Sequence, residues 1–351
     1  MVQALGLLIM YSQMRVGSKP QSAMVYLANV RRMHKRCFIP MGNHTHMIRQ
    51  VLNGMMTRFT EMYGVEALIP SRKEPFTNQQ VKSLVSVADG TLTTLGIVDR
   101  KNLTWFSLFL IFHVAAQVGI RKDEAASPFS DVLPKRRPTR AWLKWYYQGQ
   151  FYPYLDAVQL ANLGEQDAAV LMLPPSKADQ HGLKWSASPY FLPFRRDATI
   201  CAARMFSDLE VLFPVTIAQR SQVPLFARSN GLPFTGTQLD EAIQAVMGVT
   251  MAPEQRKCHS FHSFRIYLCA CLYRANASTE RIQRMLRWKA PESIGVYARE
   301  DLQVTAQWLD SAADQDICTI QVANLPVDSM ELGFQHWYAC KDAVAPDELT
   351  Q

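Results

Sequence analysis

The sequence lacks a run of apolar residues long enough to cross a membrane. Its best candidate, SLFLIFHVAAQVGI, is interrupted by His113 and Gln117 and is shorter than the ~20 residues that a bilayer-spanning helix needs. The apolar opening MVQALGLLIMYSQMR lacks the basic start and the small-residue cleavage site of a secretory signal peptide. We therefore expect no membrane partner, and we interpret both stretches as buried helices.

The chain also lacks a cysteine pattern typical of disulfides or of zinc sites. Its seven Cys are scattered, at positions 37, 201, 258, 269, 271, 318 and 340, with no pair of CxxC motifs. Cys258, His259 and His262 are close in sequence, but no fourth ligand occurs at a suitable spacing. The sequence therefore favours a reducing compartment inside a cell and predicts neither a metal site nor a cofactor.

Acidic residues are few before residue 301. Residues 301–351 hold nine Asp or Glu and one Lys, a net charge of −8, and since the whole chain carries +7, residues 1–300 carry +15. This excess of positive charge suits a phosphate backbone, whose contacts supply the non-specific part of DNA affinity. A basic protein without a nucleic-acid partner is the alternative that charge alone leaves open.

One stretch late in the chain carries residues that could bind a phosphate. His262 and Arg265 are three residues apart, so on a helix their side chains project from one face. Trp288 follows 23 residues after Arg265, and Tyr297 comes nine residues after that. This order and spacing resemble the tyrosine recombinases, the integrase family of DNA strand-exchange enzymes, and the Trp is similar to the Cre subgroup. Members of that family usually have Gly where Arg287 stands.

The resemblance implies further site residues. In the family the first catalytic Arg follows a buried helix, with a supporting acidic residue three positions later, and Arg121 and Glu124 in GIRKDE match that arrangement. The family's catalytic Lys, which protonates the departing 5′ oxygen, is carried by a β-hairpin. Lys177 is our prediction for it and Lys184 is the alternative.

These residue types suit the cleavage of a phosphodiester without a metal. Arg121 and Arg265 can each make bidentate contacts with phosphate oxygens. A Tyr hydroxyl becomes a competent nucleophile when cations surround it, so Tyr297 would attack the phosphorus and form a 3′-phosphotyrosyl link. His262 and Trp288 would hydrogen-bond the phosphate or assist proton movement.

Local patterns predict mostly helices. From about residue 77 to 125 the pattern is helical in two stretches: QQVKSLVSVADGTL, with Thr77 and Gln80 as a capping box at its start, and then LTWFSLFLIFHVAAQVGIRKDEAAS. Further helices are predicted over HTHMIRQVLNGMMTRFTEMYG, ATICAARMFSDLEVLFPVT, TQLDEAIQAVMGVTM and STERIQRML. Between them, the stretch VLMLPPSKADQHGLKW followed by PYFLPF predicts a strand, a turn and a return strand. The fold class is therefore mainly α with a small antiparallel β-sheet.

The chain is long enough for two domains. The resemblance implies the two-domain DNA breaking-rejoining fold: a helical core-binding clamp over residues 1–70, a linker over 71–76, a catalytic domain over 77–315 and an acidic tail over 316–351. It leaves open whether the first domain is complete, since the chain begins close to its expected first helix. The basic helix end RRMHKR supplies the predicted DNA contacts Arg31, Arg32, Lys35 and Arg36.

The sequence thus predicts a site-specific DNA recombinase that acts on double-stranded DNA as a synaptic tetramer of identical subunits. A type IB topoisomerase shares the catalytic residues and is the closest alternative. A DNA-binding relative that no longer cuts is another, and an unrelated helical scaffold is a third. We expect the protein to be DNA-associated, in the cytoplasm of a prokaryote or the nucleus of a eukaryote.

Overall fold

The structure is a computed structural model that describes residues 32–33, 35–38, 45–64, 73–126, 138–173 and 189–288. Several predicted site residues lie outside these ranges, as does the acidic tail; they are Arg31, Lys177, Lys184 and Tyr297. The chain divides into two units, Met1–Glu74 with Lys257–His259 and Pro75–Arg256 with Ser260–Gln351. Within the described ranges, no helix has the length and apolar character needed to span a bilayer.

The first unit contains one long helix in its described part. Helix α1 spans Thr45–Tyr63, and it ends as predicted where Gly64 adopts a left-handed φ of 81°. Three of the predicted DNA contacts, Arg32, Lys35 and Arg36, lie in a short helical stretch before it. Their side chains are exposed, as a role in binding DNA phosphates would require.

The described residues from position 75 onward are mostly helical with a small antiparallel sheet, as the sequence predicts. In chain order the elements are α2 (Asn78–Val85), β1 (Leu92–Thr93), β2 (Gly96–Ile97), α3 (Leu103–Val118), α4 (Lys122–Ala125), β3 (Leu143–Tyr147), β4 (Gln150–Tyr152), α5 (Ala157–Ala161), β5 (Ala168–Leu171), β6 (Tyr190–Pro193), α6 (Ala202–Leu212), α7 (Gly236–Thr250), α8 (Pro253–Cys258), α9 (His262–Arg274) and α10 (Thr279–Leu286).

Helix α3 is the centre of the second unit. Twelve of its sixteen residues are buried, because its sequence is apolar on nearly every side. The Asn102 side chain caps its first turn by accepting the Thr104 N–H, and Gly119 ends it with a φ of 62°. Helices α2, α6 and α9 pack against it. The end of α3 therefore lies in the middle of the packed helices.

A four-stranded antiparallel sheet has the strand order β4-β3-β5-β6. The predicted strand and return strand are β5 and β6, which pair as expected, with Val170 opposite Phe191. In β3 the side chains alternate between the two faces, so that Trp145 is buried and Lys144 is exposed. The residues between β5 and β6, which include both candidate lysines, are outside the described ranges.

The prediction of a helical pattern over QQVKSLVSVADGTL is wrong after position 85. The capping box of Thr77 and Gln80 is present and starts α2, but that helix ends at Val85. A turn at Gly90, with a φ of 84°, leads into the short β1–β2 hairpin. Because Gly accepts this left-handed backbone without strain, the Asp-Gly pair here makes a turn instead of continuing the helix.

Candidate active site

Four of the sequence-predicted site residues line one cavity. The cavity has a volume of about 450 Å³ and is lined by Ile120, Arg121, Lys122, Asp240, Ser260, Phe261, His262, Arg265 and Trp288. Arg121 comes from the turn after α3, His262 and Arg265 from the first turn of α9, and Trp288 from the end of α10. Residues that are far apart in the sequence therefore meet at one place.

The position of Arg121 depends on a close approach between helices at Gly119. A Cβ atom at this glycine would lie 2.7 Å from Leu286 Cδ2 and 3.3 Å from Leu268 Cδ2. Its left-handed φ of 62° also favours glycine. Ending α3 here turns the chain so that Arg121, two residues later, precedes α4 and reaches the cavity.

Glu124 accepts two hydrogen bonds from Arg121 and a third from a second arginine. Its carboxylate accepts the Arg121 backbone N–H at 2.8 Å and Arg121 Nη1 at 3.4 Å. It also forms an ion pair with Arg287 Nη2. Only 6% of Glu124 is exposed. The supporting carboxylate predicted from GIRKDE is thus in contact with Arg121.

Arg265 is almost completely buried, with 2% of its surface exposed. Its Nη1 donates to the Gly119 carbonyl, whereas its Nη2 is buried and has no hydrogen-bond partner among the residues that the structure describes. Burial and the nearby positive charge of Arg121 lower the pKa of Arg265 to about 9, so it is still protonated at neutral pH. A buried donor without a partner is costly, and an anionic oxygen in the cavity would satisfy it.

His262 and Trp288 flank Arg265. The indole ring of Trp288 packs 5.4 Å from Arg265 Cζ, in the range of a cation–π contact. His262 is exposed overall, but neighbouring protein removes part of its side chain from water. This desolvation lowers the His262 pKa, and the charges of Arg265 and Arg121 lower it further. The imidazole is therefore neutral at pH 7, with one nitrogen able to donate and the other able to accept.

Arg287 is a member of this cluster that sequence reasoning missed. It stands where the resembling family usually has Gly, and its backbone has the left-handed conformation that favours Gly, with φ 51° and ψ 48°. The residue is 2% exposed and its side chain pairs with Glu124, while its carbonyl accepts from Arg121 Nη2 at 3.1 Å. Burial lowers the Arg287 pKa, but the adjacent Glu124 carboxylate outweighs it and raises the pKa above its usual value.

An ion pair at the cavity wall was also missed by sequence reasoning. Lys122 Nζ lies 2.7 Å from Asp240 Oδ2, and both side chains are about half exposed. A pair so open to water is worth little in stability. Because Asp240 already neutralises Lys122, the net positive charge of the cavity comes from its arginines.

The arrangement as a whole suits the binding of an anion. The guanidinium groups of Arg121 and Arg287 contact the single carboxylate of Glu124, and Arg265 is close enough to feel its charge. The excess of positive charge and the buried donor of Arg265 both favour a phosphate group in the cavity. In the part of the chain that the structure describes, no three His, Cys, Asp or Glu side chains come together as metal ligands.

The predicted residues outside this cavity have different positions. Arg32, Lys35 and Arg36 are exposed in the first unit. The predicted nucleophile Tyr297, the two candidate lysines Lys177 and Lys184, and Arg31 lie outside the described residues, so their roles stay predictions.

No protein-family model matches the chain, and no curated protein matches it either. Among solved structures it is similar to the XerA recombinase, with 11% identity over 90% of this chain and 92% of that one and a TM-score of 0.39. It is also similar to residues 82–397 of the Tn1549 transposon integrase in complex with circular intermediate DNA, with 11% identity over 88% of this chain and 99% of that one and a TM-score of 0.41. These similarities are low, so the function must be judged from the site itself.

Proposed function

We propose that the protein is a site-specific DNA recombinase of the tyrosine type, which cuts and rejoins double-stranded DNA through a covalent link to Tyr297. The observation that carries this proposal is the meeting of Arg121, Arg265, His262 and Trp288 at one cavity. A chance combination of motifs in the sequence would have no reason to converge in space. Convergence on one anion-sized cavity is what catalysis at a single phosphate requires.

The electrostatics of the cavity support a phosphate as its ligand. Arg121 and Arg265 repel each other, which contributes to the lowered pKa of Arg265. A phosphate between them removes this repulsion and supplies oxygens to the donor that Arg265 leaves unsatisfied. As negative charge accumulates on the non-bridging oxygens in the transition state, these fixed donors stabilise it further.

Strand cleavage then takes place in one step, and that step is reversible. The Tyr297 oxygen attacks the phosphorus, its proton leaves, and the bond from phosphorus to the 5′ oxygen breaks. The neutral imidazole of His262 can accept the phenolic proton, and Lys177 or Lys184 donates a proton to the 5′ oxygen. Attack of a second 5′ hydroxyl on the phosphotyrosyl link restores the DNA strand and the free tyrosine.

DNA substrates that trap the covalent link test this proposal. Duplexes of random sequence are incubated with the protein and then denatured with detergent. Each duplex has a nick, so that after cleavage the short fragment with the free 5′ hydroxyl can diffuse away. We expect a DNA-linked protein band from the wild type and none from Tyr297→Phe. A wild type that binds DNA but gives no band would be the non-cutting relative.

The recovered DNA then separates recombination from topoisomerase activity. The sequences enriched in the covalent band are placed as two sites on a supercoiled plasmid. A recombinase exchanges the two sites and assembles as a tetramer on DNA, whereas a type IB topoisomerase relaxes plasmids with or without the sites. Relaxation alone would contradict the proposal and support the alternative.

A further inference from the structure

Arg287 is a buried cation that the proposed chemistry does not use. Arg287 is not one of the described residues that line the cavity. With 2% of its surface exposed, it can offer a substrate almost no contact. Yet it makes contacts with both members of the Arg121–Glu124 pair, through its guanidinium to Glu124 and its carbonyl to Arg121. It is therefore in a position to act on catalysis through these two residues.

The backbone of Arg287 shows that its side chain is held in place by its contacts. A residue other than glycine is strained at φ 51° and ψ 48°, and such strain persists only where the surrounding contacts outweigh it. Those contacts are the Glu124 carboxylate and the ring of Tyr190, whose centre lies 5.7 Å from Arg287 Cζ. Tyr190 is itself fixed, because its hydroxyl donates to the Met285 carbonyl at 2.7 Å.

The distances show which arginine takes most of the negative charge of Glu124. The contact of Arg287 with the carboxylate is the closer one, whereas Arg121 Nη1 lies at 3.4 Å. A carboxylate engaged mainly by Arg287 orients Arg121 without neutralising it. The charge of Arg121 is then available to a phosphate in the cavity.

We propose that Arg287 is a positioning residue: it binds Glu124 so that this carboxylate fixes the direction of Arg121 while leaving the Arg121 charge to the scissile phosphate. This inference rests on the proposed function, because it assigns a task within the same site. The turn at Arg287 also holds the next residue, Trp288, against Arg265. The same residue thereby connects both catalytic arginines to the end of α10.

The main test replaces Arg287 by Gly, which relaxes the backbone and removes only the side chain. We expect Arg287→Gly to slow formation of the covalent DNA band by about 10- to 100-fold, since a small misplacement of a catalytic group has effects of this size. Affinity for uncut DNA should stay within about twofold, because the cavity arginines and the exposed cations are all retained. Arg287→Lys, which keeps the charge, should recover part of the rate.

A double variant and a matched control distinguish neutralisation of Arg121 by Glu124 from a general loss of structure. In Arg287→Gly with Glu124→Gln no carboxylate remains to neutralise Arg121, so this double variant should cut faster than Arg287→Gly alone. Arg281→Met, at an exposed arginine of the same helix, should cut at the wild-type rate. If Arg287→Gly cuts as fast as Arg281→Met, or if the double variant is no faster than the single one, the inference is overturned while the proposed function stands.

A measurement that needs no catalysis keeps the two proposals distinguishable. In protein labelled with nitrogen-15 arginine, the side-chain signals of Arg121, identified by their disappearance in Arg121→Lys, should show hindered rotation in the wild type. In Arg287→Gly they should report a changed environment, and unchanged Arg121 signals would overturn the inference. If the wild type gives no covalent band, the proposed function fails, and this spectrum decides on the inference alone.

Discussion

Arg265 has an environment that disfavours its own charge. It is buried, it lies near Arg121 and Arg287, and its Nη2 has no hydrogen-bond partner within the described part of the chain. Each of these features costs free energy, and a bound anion relieves that cost. Such groups cluster at functional sites, because a donor that is already oriented and desolvated binds the transition state more strongly than one that must be rearranged.

Replacing Arg265 by Lys tests the need for its planar guanidinium. Lys keeps the positive charge but cannot make the bidentate contact, so we expect formation of the covalent DNA band to fall by about 100- to 1000-fold. The rate is measured in single-turnover experiments at saturating protein. Arg274→Lys, at an exposed arginine in the last turn of the same helix, serves as the control and should keep its rate. Equal rates for the two variants would count against a role of Arg265 in the chemistry.

At the residue scale, sequence analysis identified site residues that are linked by a short motif. It missed those that are brought together only when the chain folds. The i, i+3 spacing of His262 and Arg265 is visible in the sequence, and so is that of Arg121 and Glu124. The second partner of Glu124 is Arg287, 163 residues away. No local pattern marks an arginine that will adopt a left-handed backbone and be buried by a distant carboxylate.

At the element scale, the site depends on how tightly α3 meets α9 and α10. Gly119 lies against Leu268 of α9 and Leu286 of α10, and its carbonyl accepts from Arg265. The end of one helix thereby orients Arg265, a proposed catalytic residue of another helix. A larger residue at this position would have to separate the helices that carry the site.

Gly119→Ala should destabilise the protein through both strain and crowding. Alanine at a left-handed φ costs about 1 to 2 kcal/mol, and the crowding of Leu286 by the new methyl group adds to this. Gly90→Ala is the matched control, because Gly90 has a φ of 84° but nothing within 4 Å of a Cβ atom. Chemical denaturation should show a larger decrease in unfolding free energy for Gly119→Ala than for Gly90→Ala. Equal decreases would mean that the helices can move apart without cost.

His113 should make the packing of α3 against the start of α6 sensitive to acid. Burial, together with the charges of Arg204 and Arg100, lowers the pKa of His113 to about 3, and its Nδ1 accepts the Cys201 N–H at 3.1 Å. In the unfolded chain its pKa is about 6.5. The unfolded state therefore binds more protons between pH 3 and 6.5, so stability falls as the pH decreases through that range.

The expected decrease in stability from His113 is about 2 kcal/mol between pH 7 and pH 5. It is measured as the difference in unfolding free energy at the two pH values. In His113→Gln, whose side chain keeps an acceptor for the Cys201 N–H but does not titrate, the decline should be smaller by about this amount. An identical decline in the wild type and in His113→Gln would show that His113 takes up its proton while the protein stays folded.

Element prediction succeeded where a helix is defined by its own sequence and failed where its end is defined by tertiary contacts. Helix α3 was predictable because it is apolar on most sides and ends at a glycine. The end of α2 was not, because Arg100 stabilises it from beyond the β1–β2 hairpin. Arg100 Nη2 donates to the carbonyls of Val85 and Val87 at 3.1 Å and 2.6 Å. These bonds satisfy acceptors that the helix leaves open, and a local window of sequence does not contain them.

At the scale of the whole molecule, charge is distributed so that the part of the chain before residue 301 attracts a polyanion. Those residues carry a net charge of +15, whereas the last 51 carry −8. An attraction of this kind depends on ionic strength, because binding to DNA phosphates releases condensed cations. In the proposed function the cavity, by contrast, acts on a single phosphate through buried donors that salt screens much less. Affinity and cleavage should therefore respond differently to the same change in salt.

Removing the exposed cations of the first unit tests whether affinity and cleavage depend on different groups. We expect a variant with Arg32, Lys35 and Arg36 all changed to Gln to bind DNA more weakly, with a slope of log K against log salt less steep by about 2.7, or about 0.9 for each phosphate that is no longer neutralised. Cleavage at saturating protein should stay near the wild-type rate, since the cavity is unchanged. The control removes the same amount of charge at three exposed lysines, Lys82, Lys101 and Lys144. If both variants change the slope equally, the DNA responds to net charge alone and the basic stretch is not a specific contact.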